Sequence, residues 1–346
     1  MGHTYIIGEI GQNHNGSVDI AKLLVEIASR PVVDALYGEK LAGIDAVKLV
    51  KRDLKQELSA SQMNREYNSP HSFGRTYGEH RAYLELTDDE HYEVYKFARE
   101  CGLEFVETLC APGALSILKL FTPDRLKVAS RDLTNLPLLH VLAETRIPII
   151  ISTGMGGKME LDDALDIITK YHSEISILHC VSEYPTQYTN VNLLTIQYLL
   201  ENYSGFTIGY SDHTIGIAVP VAAVAMGARI IEKHITIDRK MKGTDQSGSL
   251  GIDGINRMVR DIRNIELTMG VKDILISDSV ADQRKKLERS IATLKDLDAG
   301  HIISENDIHL LSPGDGFKWS EKDYVVGKRL INAIKKDEII YPDFLT

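Results

Sequence analysis

The side chains able to do acid–base, electrostatic or metal chemistry recur at one kind of place in this sequence, the ends of short apolar runs. Glu9 closes the first run and leads into Gly11-Gln12-Asn13-His14-Asn15-Gly16. Lys48 sits in the second, Glu107-Thr108 end the third, and Lys127 and Ser130 belong to the fourth. Ser152 ends the fifth, and His179 lies in the sixth, ahead of Ser182-Glu183-Tyr184-Pro185. Ser211-Asp212-His213 end the seventh, and the eighth carries Glu232 and His234. An ammonium group inside an apolar run is costly to bury without a partner. Lys48 and Lys127 therefore point to an anionic ligand, with ion pairs to Glu9 or Glu107 as the structural alternative. Thr108, Ser130, Ser152 and Ser211 beside them would complete a cradle for phosphate and carboxylate; otherwise they cap the helices that follow.

His213 and His234 fall at equivalent depth in neighbouring runs. Paired imidazoles with open positions suit a divalent ion such as Mn²⁺ or Zn²⁺ completed by substrate or water, with Glu232 and Asp212 as orienting neighbours. His14 and His179 stand between ligand and core roles, and Tyr184 between a substrate donor and a turn former ahead of Pro185. The three cysteines, Cys101, Cys110 and Cys180, read as core fillers. Lys51-Arg52 and the polar excursion that follows, with Arg65, His71, Arg75, His80 and Arg81, lean basic. That segment is a solvated loop or, given its length, a lid or substrate wall.

These groups need elements to hold them. The apolar runs cover 4–9, 46–51, 103–109, 125–130, 147–153, 175–181, 206–211 and 229–236. Helical patterns alternate with them at 17–30, 88–101, 114–121, 136–144, 161–171, 191–203, 216–226 and 254–269. Continuous apolar runs are what parallel strands covered on both faces require. Eight strand–helix pairs, with polar residues at the strand C-termini, predict a (β/α)₈ TIM barrel rather than an open sheet. The expected divisions are a barrel over 1–272, a linker over 273–286 and a small mixed domain over 287–346.

Composition limits the function. The 346 residues carry 39 basic and 49 acidic side chains, a net charge of −10, with 43% hydrophobic residues. Such a chain buries a sizeable core and lacks the positive field of a dedicated nucleic-acid binder. No run approaches the roughly 18 apolar residues of a membrane span, and the N-terminus has no signal-peptide pattern. An odd cysteine count without metal spacing argues against a disulfide scaffold, so a cytoplasmic location is expected.

The motifs resemble those of the sialic acid synthases, the N-acetylneuraminate synthase family that includes legionaminic and pseudaminic acid synthases. The resemblance rests on Ile7-Gly8-Glu9-Ile10-Gly11-Gln12-Asn13-His14-Asn15-Gly16, Ile151-Ser152-Thr153-Gly154-Met155, Leu178-His179-Cys180, Gly209-Tyr210-Ser211-Asp212-His213-Thr214 and Glu232-Lys233-His234-Ile235-Thr236. The segment from Arg289, with Gly300, Pro313-Gly314-Asp315-Gly316 and Gly327-Lys328-Arg329, is similar to the antifreeze-like (SAF) domain of those enzymes. The resemblance implies condensation of phosphoenolpyruvate with the open-chain aldehyde of a sugar, giving a nine-carbon 2-keto-3-deoxy acid and phosphate. It implies that Lys48, Thr108, Lys127, Ser130, Ser152, Ser182 and Ser211 hold phosphoenolpyruvate. His213 and His234 would bind the metal, Mn²⁺ first, with Mg²⁺, Co²⁺ or Zn²⁺ as alternatives. Glu9 would manage the water or protons at C2. Tyr184, Asp245 and Glu232 would meet or support the sugar, joined by Arg131 and His71 from the loops. A domain-swapped homodimer is implied as well.

Four positions depart from the family pattern. Val50 stands where a Gln is usual, Arg131-Asp132 where Gly-Glu is usual, Ser182 in place of an Asn, and Ser312 in place of an Arg. A site that loses hydrogen-bonding partners discriminates against its former ligand, so N-acetylmannosamine is not the expected sugar. Arg131, with Arg75 or Lys51, is expected to meet a phosphate or carboxylate on another one. The alternatives are a synthase of a shorter, Kdo-type ulosonic acid and a catalytically silent sugar-binding homologue.

Overall fold

The eight apolar runs form eight parallel strands closed into a barrel. In this computed structural model, which describes residues 2–34, 38–272 and 274–346, they are β1 (Tyr5–Gly11), β2 (Ala46–Lys51), β3 (Glu104–Leu109), β4 (Arg125–Val128), β5 (Ile149–Ser152), β6 (Ile175–Cys180), β7 (Thr207–Asp212) and β8 (Ile230–His234). β8 returns to pair with β1, placing Glu9 opposite His234, while β2 places Lys48 opposite Glu9 on the other side. Residue 273, where the linker was expected to begin, lies outside the described residues.

The barrel interior is layered. Ile7, Ala46, Val106, Ile150, Leu178 and Ile230 form an apolar plug of their own. Successive inward side chains on a strand are two residues apart. The next layer toward the strand C-termini is therefore Glu9, Lys48, Thr108, Ser152, Cys180 and Glu232. All six are buried. The plug denies water access from below, so this polar layer opens only upward.

Helices cover the outside. Ser17 caps Val18–Ser29 by accepting from the Ile20 N–H, and Ala21, Leu24, Val25, Ile27 and Ala28 bury its inner face. The helix expected at 114–121 is instead a 3₁₀ segment, Pro112–Lys119. Pro112 lacks an N–H donor, and Gly113 packs so tightly that a Cβ there would sit 2.0 Å from Asp53 Oδ2. The polar excursion after β2 is ordered. Thr76 and Glu79 form a capping box that starts the helix Tyr77–Leu84, and Thr87 and Glu90 form another ahead of Asp88–Glu100.

At the N-terminal end of the barrel the barrel's own last helix, Ile252–Thr268, contributes Arg263. Its guanidinium donates to the carbonyls of Thr4, Ala42 and Gly43 at 2.8–2.9 Å and pairs with Glu266 (2.9 Å) and Asp45 (3.2 Å). This ties the starts of β1 and β2 to the closing helix.

The chain divides into two compact units, Met1–Gly270 and Val271–Thr346. The second has its own core of Ile291, Leu297, Ile303, Ile308, Val325, Leu330, Ile334 and Ile340. It holds an antiparallel pair, β9 (Ser290–Thr293) and β10 (Ile308–Leu311). Ser312 follows β10 and donates to the Leu287 carbonyl at 3.0 Å within this unit. Among the described residues, no helix is long and apolar enough to cross a membrane.

Candidate active site

A pocket of about 380 Å³ opens above the polar layer at the C-terminal end of the barrel. Its floor is an ionic quartet. Lys48 Nζ lies 2.5 Å from Glu9 and 3.9 Å from Glu232, and donates to Thr108 Oγ1 at 3.1 Å. Lys127 is held more loosely, donating to its neighbour's carbonyl at Val128 (3.1 Å) and standing 4.0 Å from Glu232. Ser211 donates to Glu232 at 2.9 Å.

Burial works on each charge. It pushes the Glu9 carboxyl up to about 7, with Glu232 adding to the rise against the pull of Lys48. Against the same burial cost, Lys127 and Lys48 hold Glu232 down at about 2. Lys127 is lowered by burial and by Lys48, whereas for Lys48 the two carboxylates outweigh burial and raise it. Of the two acids, Glu9 is thus the one able to exchange a proton near neutrality.

The hydroxyls face the pocket and cap no helix. Ser130 Oγ accepts from the Gly154 N–H at 3.0 Å, and the buried Ser152 Oγ has no hydrogen-bond partner among the described residues. Gly154 is required here, because a Cβ would come within 2.5 Å of Ser182 Oγ, 2.8 Å of Ser130 Oγ and 3.0 Å of Cys180 Sγ. Cys180 belongs to the pocket lining and is no simple core filler.

His213 and His234 form the opposite wall, their ring centroids 5.6 Å apart, with the Tyr184 ring 4.0 Å from His213. His213 donates from Nδ1 to the Val181 carbonyl at 2.8 Å. That bond leaves Nε2 as the free lone pair. His234 Nδ1 is buried without a partner among the described residues, and burial lowers the ring's pKa. Two adjacent imidazoles, one with an orphaned nitrogen, fit a divalent ion whose remaining positions go to substrate or water. Among the described residues, no group of three or more His, Cys, Asp or Glu side chains is arranged as a metal cage.

Several sequence expectations need correction. Asp212 does not orient His213; it faces away from the pocket, pairing with Lys233 at 2.6 Å and accepting from Tyr210 and Thr214. His179 points outward as well, donating to the Val191 carbonyl, and His14 accepts from Gly16. Glu107 pairs with His91 outside the barrel and not with a lysine. Lys51 is tied outside the pocket by the Leu86 carbonyl (2.7 Å) and Asp88 (2.9 Å). Arg75 and His71 do not line the pocket; the His71 ring meets the Gly243 N–H at 3.4 Å. Asp245, Ser182, Val50 and Arg131 do line it.

Gln12, Arg52, Arg81 and Thr244 line it too. Arg52 and Arg131 share one acid. Arg52 pairs with Glu57 and with Glu85 (3.5 Å), while Arg131 reaches Glu57 and Asp132, each at 3.3 Å, and donates to Cys110 Sγ. Arg131 is therefore a neutralised cation, which weakens its case as an anion receptor.

Residues 37–273 match the NeuB family, and residues 288–346 match the SAF domain. The N,N'-diacetyllegionaminic acid synthase of Legionella pneumophila is 36% identical over 94% of this chain and 90% of its own length. The human N-acetylneuraminate-9-phosphate synthase is 32% identical over 99% of this chain and 92% of its own. The crystal structure of the N-acetylneuraminic acid synthetase of Leptospira borgpetersenii superposes with a TM-score of 0.68 at 29% identity, covering 82% of this chain and 90% of that one.

Proposed function

We propose, from the premise that this chain belongs to the NeuB family, that it condenses phosphoenolpyruvate with the open-chain aldehyde of a sugar to give a nonulosonic acid. The chain is an enzyme, a synthase that forms a carbon–carbon bond. The observation that carries the substrate reading is the convergence of two buried lysines, two buried carboxylates and four buried hydroxyls with two imidazoles in one pocket.

Lys127, Lys48, Ser130, Ser152 and Ser211 would hold the carboxylate and phosphate of phosphoenolpyruvate, the orphaned Ser152 hydroxyl gaining a partner on binding. C3 of phosphoenolpyruvate forms the new bond to the aldehyde carbon. Water adds at C2, the C2–O ester bond breaks, and inorganic phosphate leaves, the water's two protons ending on the former aldehyde oxygen and on the phosphate. Glu9 takes the proton from that water, as its raised pKa and its contact with Lys48 permit. Tyr184 and Asp245 border the space left for the sugar. His213 and His234 would hold a divalent ion, Mn²⁺ being the proposed one, which when bound draws electron density from the aldehyde oxygen. A homodimer is part of the same reading and is checked by light scattering.

Phosphate release from phosphoenolpyruvate, measured across a panel of aldoses with Mn²⁺, tests this function. The expected result is aldose-dependent release and a product with the mass of the aldose plus pyruvic acid. No aldose-dependent release from any member of a broad panel overturns it.

A further inference from the structure

The three cysteines of the chain are free thiols in three different settings. Cys101 ends the helix Asp88–Glu100 and is half-buried on the outside of the barrel. Cys110 is buried beyond the pocket lining. Its sulfur accepts from Arg131 Nη2 at 2.9 Å, and burial pushes its thiol up to about 11. A buried thiol held un-ionised in this way is inert. Cys180 is the one of the three that lines the active-site pocket.

The surroundings of Cys180 suit oxygen atoms. It shares the polar layer with Ser152, on the paired strands β6 and β5. Ser152 is 1% exposed, and its hydroxyl has no partner among the described residues, so the layer holds a buried polar group that awaits one. The backbone at Gly154 brings two more hydroxyls to the sulfur. A Cβ there would lie 3.0 Å from Cys180 Sγ, 2.8 Å from Ser130 Oγ and 2.5 Å from Ser182 Oγ. Three atoms that close on one missing methyl group are neighbours of one another. On its other side the sulfur stands 3.8 Å from His213 Nδ1, which is committed to the Val181 carbonyl. The thiol therefore faces a space lined by hydroxyls and by the Lys127 ammonium, where an added oxygen atom finds donors already in place.

We propose that Cys180 is a redox-modification site, at which a peroxide adds one oxygen to the sulfur and that oxygen occupies the hydroxyl cradle in place of phosphoenolpyruvate. The sulfur attacks the peroxide, an S–O bond forms, the O–O bond breaks, and the thiol proton leaves with the departing oxygen: Cys–SH and hydrogen peroxide give Cys–SOH and water. Sulfur is oxidised and peroxide reduced. Two equivalents of a small thiol reverse the step, returning the cysteine with one disulfide and one water. The competition with phosphoenolpyruvate rests on the condensation reading above; the oxidation of Cys180 does not.

The test treats the enzyme with hydrogen peroxide, with and without phosphoenolpyruvate, traps sulfenic acid with dimedone and locates it by peptide mass mapping, while phosphate release reports activity. Dimedone is expected on Cys180 ahead of Cys101 and Cys110, with a ~10-fold fall in activity that dithiothreitol restores. Phosphoenolpyruvate at about ten times its Kd should slow both changes ~10-fold. Cys180→Ala, scored against its own untreated activity, should keep that activity in peroxide, whereas Cys101→Ser should lose its activity as wild type does. Several results overturn the proposal: no label on Cys180, label first on another cysteine, a loss undiminished in Cys180→Ala, or Cys180 labelling that leaves activity intact or ignores phosphoenolpyruvate. If Cys180→Ala has no activity to follow, wild-type labelling and its protection decide alone. Absence of turnover with every aldose, while Cys180 is labelled and phosphoenolpyruvate protects it, counts against the condensation reading and upholds this site.

Discussion

At the N-terminal end of the barrel Arg263 donates to three backbone carbonyls and pairs with two carboxylates. At the C-terminal end Lys127, equally buried, donates among the described residues only to its neighbour's carbonyl and stands 4.0 Å from Glu232. One end uses buried charge to fasten β1 and β2 to the closing helix. The other keeps buried charge under-satisfied, beside a serine hydroxyl with no partner. In barrels of this architecture the two ends divide stability from chemistry, and here the division is visible in how completely each cation is bonded.

Removing Lys127 should separate the two ends most sharply. Lys127→Met is expected to lower kcat/KM by ~10³-fold, the scale of a lost electrostatic stabiliser, while changing the melting temperature little, because the gain from removing a costly buried ammonium is offset by the loss of one of the two cations facing Glu232. A melting temperature several degrees lower would show that the floor carries stability after all. Glu9→Gln should cost ~10²-fold or more, within the range of a lost general base. Because the ionised form is the base, wild-type activity should rise as pH climbs through about 7, and the pH–rate profile of the variant should lose that limb. Ser152→Ala should act mainly on the KM for phosphoenolpyruvate, by ~10-fold, and should not destabilise, since its hydroxyl has no partner to lose. Arg263→Met is the mirror image. Denaturant titration should show a loss of ~3 kcal/mol, the cost of breaking a buried charge network, with kcat/KM within twofold of wild type.

How much of this was legible in the sequence follows from strand alternation. The apolar runs and their count gave the barrel, and one inward residue in seven of the eight gave Glu9, Lys48, Thr108, Lys127, Ser152, Ser211 and Glu232; in the sixth the expectation fell on the outward His179. The same parity, carried further, separates Lys51, which points out, from Arg52, which points in. It also places Cys180 beside Ser152 in the polar layer and turns Asp212 outward between the inward Ser211 and His213. Those three were readable and are settled by geometry alone. Arg81, Gln12 and Thr244 were not, because they lie beyond strand ends, where no period fixes the direction of a side chain. His71 fails for the same reason: its loop carries the ring to Gly243 and away from the pocket.

The single acid between Arg52 and Arg131 constrains any attempt to retune the rim for a different sugar. Replacing either arginine alone leaves Glu57 to the survivor and frees the lost arginine's other acid, Glu85 or Asp132, and replacing Glu57 leaves two neighbouring guanidinium groups with only Glu85 and Asp132 as counter-charges. Changes at these three positions will therefore be strongly epistatic. Libraries that vary them jointly should recover variants that one-at-a-time scanning discards.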